Sequence, residues 1–285
     1  MKNHNSSHEA FTLIELLVVL ALVSLLGCLL LPAMARTHIK SSSSGCLSNY
    51  RQMMVGWAMY LDENNDIMVP NSQAASTVGE ISGWYLAVEP NEDWLNSDGN
   101  TNRADYLSGS LAPYIGGRVE LYQCPGDVIP SKNGRRLKSC SMNSQVGAIG
   151  EQLRDNPGFN LAAGWKEYSR GSDMACPDPK DLFIFADESI WTMNDGWLEV
   201  ELDQPKYPDC FAAYHDGAGG FSFADGHAEI HKWVGPYSRS ATTPFGILGV
   251  IYQAGYVRAG SYVVPGSGLD QDWIWETNHA SCQHP

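Results

Sequence analysis

The chain has 285 residues, with 18 Lys and Arg against 32 Asp and Glu, for a formal net charge of -14. Hydrophobic residues make up 44% and charged residues 18%, which is enough apolar content for a sizeable core and too much for intrinsic disorder. The acidic balance speaks against nucleic-acid binding, which needs a basic face to displace phosphate counterions, and against adsorption to anionic lipid.

The polar opening Met1–Ala10 gives way at Phe11 to 25 residues, ending at Ala35, in which Glu15 is the only charge. Leu16–Ala35 runs for 20 residues without any charge. At about 1.5 Å per residue this covers the roughly 30 Å of a bilayer core, so 11–35 reads as a membrane-spanning helix. A secretory signal peptide competes, because Ala33-Met34-Ala35 mimics a cleavage site. The apolar stretch is longer than such a peptide carries, and its leader has only Lys2. With Lys2 on one side and Arg36 and Lys40 on the other, charge asymmetry does not orient the helix. A carboxylate near the end of a spanning helix is costly unless it is paired or snorkels to the headgroups, so Glu15 is a functional candidate.

Ala10-Phe11-Thr12-Leu13-Ile14-Glu15 followed by an apolar helix resembles the prepilin signature of type IV pilins and type II secretion pseudopilins. The resemblance implies a leader at 1–10, cut between Ala10 and Phe11 by a prepilin peptidase that methylates the new amino terminus. It makes Glu15 the fifth mature residue, the family's acidic position, paired with the terminal amine of a neighbouring subunit. Ala10 stands where the family usually has Gly. Pro32 falls where its helices often kink.

Thr37–Gly45, with four consecutive serines, is expected to loosen the helix. Then Cys46, Leu47, Tyr50, Met53, Met54, Trp57, Tyr60 and Leu61 recur at three- and four-residue spacing, the stripe of an amphipathic helix spanning 36–66. It stops at the turn-forming Asp62-Glu63-Asn64-Asn65-Asp66. Asp62, Asn64 and Asp66 have the opening spacing of a calcium loop. Ile67 and Gln73 stand where that loop needs Gly and Glu, so the standard form fails. Asn96, Asp98, Asn100 and Asn102 form a second oxygen-rich stretch, a solvated loop or a cation site.

From 67 to 285 short apolar runs alternate with Gly, Pro, Asn and Asp. Strands are predicted at 79–87, 121–124, 182–186, 211–214, 221–224 and 227–233, with short helices at 104–114 and 243–254. The predicted fold is α+β and pilin-like: a long amino-terminal helix packed on a mainly antiparallel sheet with large loops. Asp225-Gly226 between alternating runs signals a two-residue hairpin. That register pairs Phe223 with Ala228 and Phe221 with Ile230 on an apolar side, and Ala224 with His227 and Ser222 with Glu229 on a polar side.

His215, nine residues, then Asp225-Gly226 resembles the H-X9-DG motif of a prepilin-processing-associated domain found in pseudopilin-like families. The hairpin carrying it spans 215–233. Gly45–Gln52, Leu121–Asp127 and Phe183–Asp187 resemble further patches of that group. His215, Asp225, His227, Glu229, His231 and Asp187 are candidate ligands for a structural divalent cation, His227, Glu229 and His231 sharing one strand face. The competing reading makes that face solvated, with His215 bonding Asp225 to pin the loop.

Cys28 lies in the apolar segment. The other six cysteines allow up to three disulfides in an oxidising compartment, with Cys124–Cys140 closing the shortest loop. Trp84, Tyr85, Trp94, Trp273 and Trp275 either fill the core or stack on sugar rings. No nucleophile triad, phosphate loop or dinucleotide fingerprint occurs. The reading is therefore a non-enzymatic, pilin-like filament subunit of a type II secretion or type IV pilus-like apparatus, without a required cofactor. It is expected to sit in the inner membrane with a periplasmic or extracellular carboxy-terminal domain. The implied partners are the prepilin peptidase, other pilin-like subunits, the inner-membrane assembly platform and membrane lipid. The rivals are an anchored glycan-binding protein and a metal-dependent hydrolase.

Overall fold

The computed structural model describes residues 12–71, 98–129, 131–147, 164–193, 195–235, 238 and 270–283, apart from the side chains of 29–36, 38 and 98. The expected leader with Ala10 and Phe11, the strand at 79–87 with Trp84 and Tyr85, Trp94 and the helix at 243–254 lie outside the described residues. The chain divides into two compact units, Met1–Ser41 and Ser42–Pro285.

Helix α1 runs from Leu13 to Glu63. It passes through Thr37–Gly45, where the serines led us to expect loosening. Each Ser costs a helix only about half a kcal/mol, and packing outweighs that once Ser42 is buried. From there on, the predicted stripe is the buried face: Cys46, Tyr50, Met53, Met54 and Trp57 are each at most 2% exposed, with Leu47, Tyr60 and Leu61 beside them. The helix ends where Asn65 and Asp66 take positive φ, with the Asp66 amide reaching back to the Leu61 carbonyl at 3.0 Å. Asp66 then accepts the Ser172 amide at 2.9 Å.

The helix expected over 104–114 is split. Helix α2, Arg103–Leu107, is capped by Asn102, and a 3₁₀ turn follows at Ala112–Ile115. Gly109 and Pro113 account for the break. The strand expected at 121–124 is instead the end of a 3₁₀ turn, Val119–Tyr122, held by local bonds such as Leu121 N–H to Arg118 O.

Among the described residues five strands form one sheet: β1 Cys140–Asn143, β2 Phe183–Asp187, β3 Trp197–Leu198, β4 Ala218–Phe223 and β5 Ala228–Lys232. Their order is β3-β1-β2-β4-β5, antiparallel except for the parallel β1–β3 pair. The sheet is thus mixed, within an α+β fold. The run at 211–214 contributes a bridge, Glu188 to Phe211, and no named strand. A short helix α3, Gln271–Ala280, capped by the Asp270 carboxylate, was not foreseen.

The hairpin register differs from the expected one by a residue. Ser222 pairs with Ala228, Phe221 with Glu229, Gly220 with Ile230 and Gly219 with His231. A two-residue hairpin turn needs positive φ at its first position, and at both in the type I′ form that Asp-Gly favours; Asp225 does not have it, and only Gly226 does, at φ +92°. The loop is therefore three residues long, Ala224-Asp225-Gly226, closed by Gly226 N–H to Phe223 O and Phe223 N–H to His227 O, both 2.9 Å. The two-residue Asp-Gly turn is present nine positions earlier. Asp216 and Gly217 have φ of +58° and +78°, and His215 N–H bonds Ala218 O at 3.0 Å. The nine residues between His215 and Asp225 are thus the tight turn, all of β4 and Ala224.

This register buries both faces of β4. Phe221 and Phe223 join Phe183, Phe211 and Trp233 in one aromatic cluster, against which Trp273 and Trp275 of α3 pack. The opposite face, with Ala228, belongs to the cluster built on α1. Gly220 sits on that face, where a Cβ would come within 2.7 Å of Cys46 Sγ and 2.8 Å of Tyr50. A comparable approach occurs at Gly56 of α1, where a Cβ would lie 2.6 Å from Ile115 Cγ2 and 3.2 Å from the Tyr114 carbonyl.

Helix propensity alone favours Gly56→Ala by up to about 1 kcal/mol. We expect the opposite sign, a loss of about 1–3 kcal/mol from overpacking against the Ala112–Ile115 turn, read as a lower midpoint in chemical denaturation.

Candidate functional site

Two places carry chemistry, one at the start of α1 and one where α1 meets the sheet. At the first, Thr12 and Glu15 form a reciprocal capping box. The Thr12 amide and hydroxyl both donate to Glu15 Oε2 at 2.8 Å, and the Glu15 amide donates to Thr12 Oγ1 at 3.3 Å. Glu15 thus begins the helix as well as supplying charge. The turns that follow are apolar and exposed, from 74% at Leu13 and 72% at Ile14 to 58% at Leu26. Of the expected span 11–35, side chains are described from Thr12 to Cys28. Among the described residues no helix is long and apolar enough to cross a membrane.

At the second, the H-X9-DG histidine occupies the corner before the Asp216-Gly217 turn, which aims its ring into the protein. His215 Nε2 lies 3.3 Å from Asp187 Oδ2 and 3.1 Å from Cys124 Sγ, while Nδ1 lies 3.1 Å from Ser43 Oγ. Cys46 Sγ is 3.6 Å from Asp187 Oδ2. Tyr50 O–H and Gly220 N–H each donate to an Asp187 oxygen at 2.8 Å. The Gly126 amide donates to Cys124 Sγ at 3.3 Å. Cys46, Cys124, Asp187 and His215 are all buried. Burial opposes charge on His215, but hydrogen bonds to Asp187 and Cys124 prevail and push it up to about 10. Burial, reinforced by Cys124 and Asp187, holds the Cys46 thiol well above its ordinary value.

Of the other five expected ligands, then, His215 meets only Asp187. His215 does not touch Asp225; that carboxylate is engaged by the His227 ring at 2.6 Å and its amide at 3.0 Å. His227 stacks flat on Phe223, centroids 4.3 Å apart. His227, Glu229 and His231 do share a face, half-buried and partly occupied by aromatic rings, with the His227 side chain 41% exposed. His231 stacks on Trp275 at 3.7 Å, and His279 stacks on the same indole at 4.2 Å. Trp273 gives its indole N–H to the Glu201 carbonyl at 2.9 Å, so both tryptophans of α3 serve the fold. The expected Cys124–Cys140 disulfide is replaced by two free thiols, with Cys140 turned to the Tyr122 carbonyl at 3.3 Å and Cys124 to His215.

Sequence reasoning missed Cys46 and Cys124 as partners of His215. The available signal was their place in the Gly45–Gln52 and Leu121–Asp127 runs. It also missed two buried ionic groups. Arg136 grips both Asp127 oxygens at 2.5 Å. Lys138 lies 3.3 Å from Ser141, whose hydroxyl donates to Glu188, and burial pushes the Glu188 carboxyl up to about 8 against the pull of Lys138.

The family model described as the prokaryotic N-terminal methylation motif matches residues 5–27. This segment carries a prepilin-type signal and supports a prepilin-like protein that is a prepilin peptidase substrate. Comparison with curated proteins and with solved structures finds no match.

Burial lowers His231 to about 4, with His279 adding to the effect and Asp272 opposing it. A histidine depressed in the folded state contributes stability that is intact above its unfolded value near 6.5 and is lost as pH falls toward 4. Titrating from pH 7 to 4.5 is expected to cost on the order of 1 kcal/mol through this residue after discounting for its partial exposure. His231→Phe, which keeps the stacking on Trp275, is expected to flatten that part of the stability profile measured by thermal unfolding.

Proposed function

We propose that this chain is a pilin-like filament subunit, cut between Ala10 and Phe11 and assembled through α1 in a type II secretion or type IV pilus-like apparatus. The methylation-motif match over residues 5–27 carries this reading. It agrees with a helix that opens on an acid and then exposes apolar side chains over several turns. Such a surface requires lipid or other copies of the same helix to cover it. In this reading α1 anchors the precursor in the inner membrane, the body lies outside the cytoplasm, and the assembly platform draws the processed subunit into the filament. The role is mechanical, with no reaction assigned to the body.

Glu15 would then have successive partners. Before assembly it caps its own helix; in the filament its charge meets the freed amine of a neighbour, which removes the cost of an unpaired carboxylate among apolar helices. Gln keeps the capping-box acceptor and loses the charge, so it separates the two roles. Glu15→Gln and Glu15→Leu are both expected to lower filament or cross-linked oligomer yield in cells by roughly tenfold or more, about 1.4 kcal/mol. Undiminished oligomers with Glu15→Gln would reduce Glu15 to a helix cap and remove the assembly role.

Mass spectrometry of the mature chain is expected to find N-methylated Phe11 at its amino terminus. A start at Arg36 would identify a conventional secreted protein, and an intact Met1 an unprocessed anchor.

A further inference from the structure

The filament role leaves unexplained why two cysteines, a histidine and an aspartate converge inside the body. One arrives on α1, one at the Cys-Pro-Gly-Asp corner, one at the end of β2 and one at the turn before β4. Their donor atoms all lie within 4.8 Å of one another. We propose that Cys46, Cys124, Asp187 and His215 form a closed tetrahedral zinc site that pins α1 to the sheet.

Geometry is the first argument. Zinc bonds of about 2.0–2.3 Å to nitrogen, oxygen and thiolate sulfur imply edges of roughly 3.3–3.8 Å between tetrahedral ligands. The donors are already 3.1 Å apart for Cys124 and His215, 3.3 Å for His215 and Asp187, and 3.6 Å for Cys46 and Asp187. Small rotations about the side-chain torsions bring them to those edges.

The second argument is the shell around them. A metal-binding imidazole offers one nitrogen to the ion and donates the other N–H to a fixed acceptor. His215 points Nε2 at the cluster and Nδ1 at Ser43 Oγ. Cys124 sulfur receives the Gly126 amide, and Asp187 is oriented by Tyr50 and Gly220. The backbone is cut to fit. A Cβ at Gly220 would reach Cys46 Sγ and Asp187 Oδ2 within 2.8 Å, and one at Gly126 would lie 3.1 Å from the His215 ring.

The third argument is donor chemistry. Two thiolates, one imidazole and one carboxylate suit zinc among the divalent first-row ions. On binding, the two thiols release their protons and enter as thiolates, and His215 releases any proton on Nε2 and enters as neutral imidazole, with no change of oxidation state. All four positions are filled by buried protein side chains, which leaves none for a substrate; the role is structural.

The test uses the full chain in detergent, isolated without chelator and loaded with zinc. One zinc per chain by elemental mass spectrometry is expected. The cobalt(II) form should show thiolate-to-metal charge transfer together with tetrahedral ligand-field bands. Cys124→Ser and His215→Gln should lose the ion. Either change could also disturb folding, so Ser43→Ala provides a milder variant, expected to weaken zinc about 10–100-fold with an unchanged circular dichroism spectrum. Chelator should expose the Cys46 and Cys124 thiols to alkylation in the otherwise wild-type chain. Three results would overturn the site: no stoichiometric zinc after loading, zinc retained by Cys124→Ser/His215→Gln, or a Cys46–Cys124 disulfide in the chain as isolated. None of these readouts depends on amino-terminal processing or on filament yield.

Discussion

The docking of the second half of α1 onto the sheet at Gly220 is the constraint on which the body depends. A helix can lie this close to a strand only where the strand offers no side chain. Gly220 provides that gap, and Cys46 and Tyr50 occupy it. Tyr50 and the Gly220 amide, together with His215, then satisfy the buried Asp187 carboxylate. The same approach brings Ser43 to His215 and Cys46 to the cluster. Apolar burial along Cys46–Trp57 supplies the driving force, and the polar contacts at Gly220 fix where along the sheet the helix settles.

Periodicity made the helix face legible, because a stripe at three- and four-residue spacing has one physical solution when a core is available. The central strands at 183–187 and 228–232 were legible because their apolar content is bounded by turn residues, whereas of 218–223 only the Phe221–Phe223 half was, since Ala218-Gly219-Gly220 lacks the side chains that signal a strand. The hairpin register was misread because Asp-Gly occurs twice within eleven residues. Composition does not say which copy adopts two positive-φ positions; the structure assigns that turn to Asp216-Gly217 and gives Asp225 an ordinary φ. The short strands at Cys140–Asn143 and Trp197–Leu198 carry no alternation, since buried polar residues such as Ser141 and Asn143 find partners in distant segments. Helix α3 was hidden by its mixed face, on which Trp273 and Trp275 alternate with buried acids.

The convergent cluster shows a different limit. His215 and Asp187 stood out as residue types, but their partners are 91 and 141 residues away in the pairings His215–Cys124 and Asp187–Cys46. Spacing along the chain reports local geometry, and this site owes nothing to local geometry except the corner that aims His215. The alternating His227-Glu229-His231 face holds instead histidines that stack on Phe223 and Trp275. Aromatic neighbours, with no fixed sequence distance, decide whether such a face is wet.

The interval between His215 and Asp225 behaves as a gauge. It begins at the corner that orients the imidazole and ends at the loop where Asp225 receives His227, and between the two lies one strand with both faces buried. Lengthening that strand by a single residue would swing His215 to the wrong side of the sheet while leaving every residue type in place. The motif therefore records a distance as much as a chemistry, and only even-numbered changes in strand length, matched in β5, would preserve what it measures.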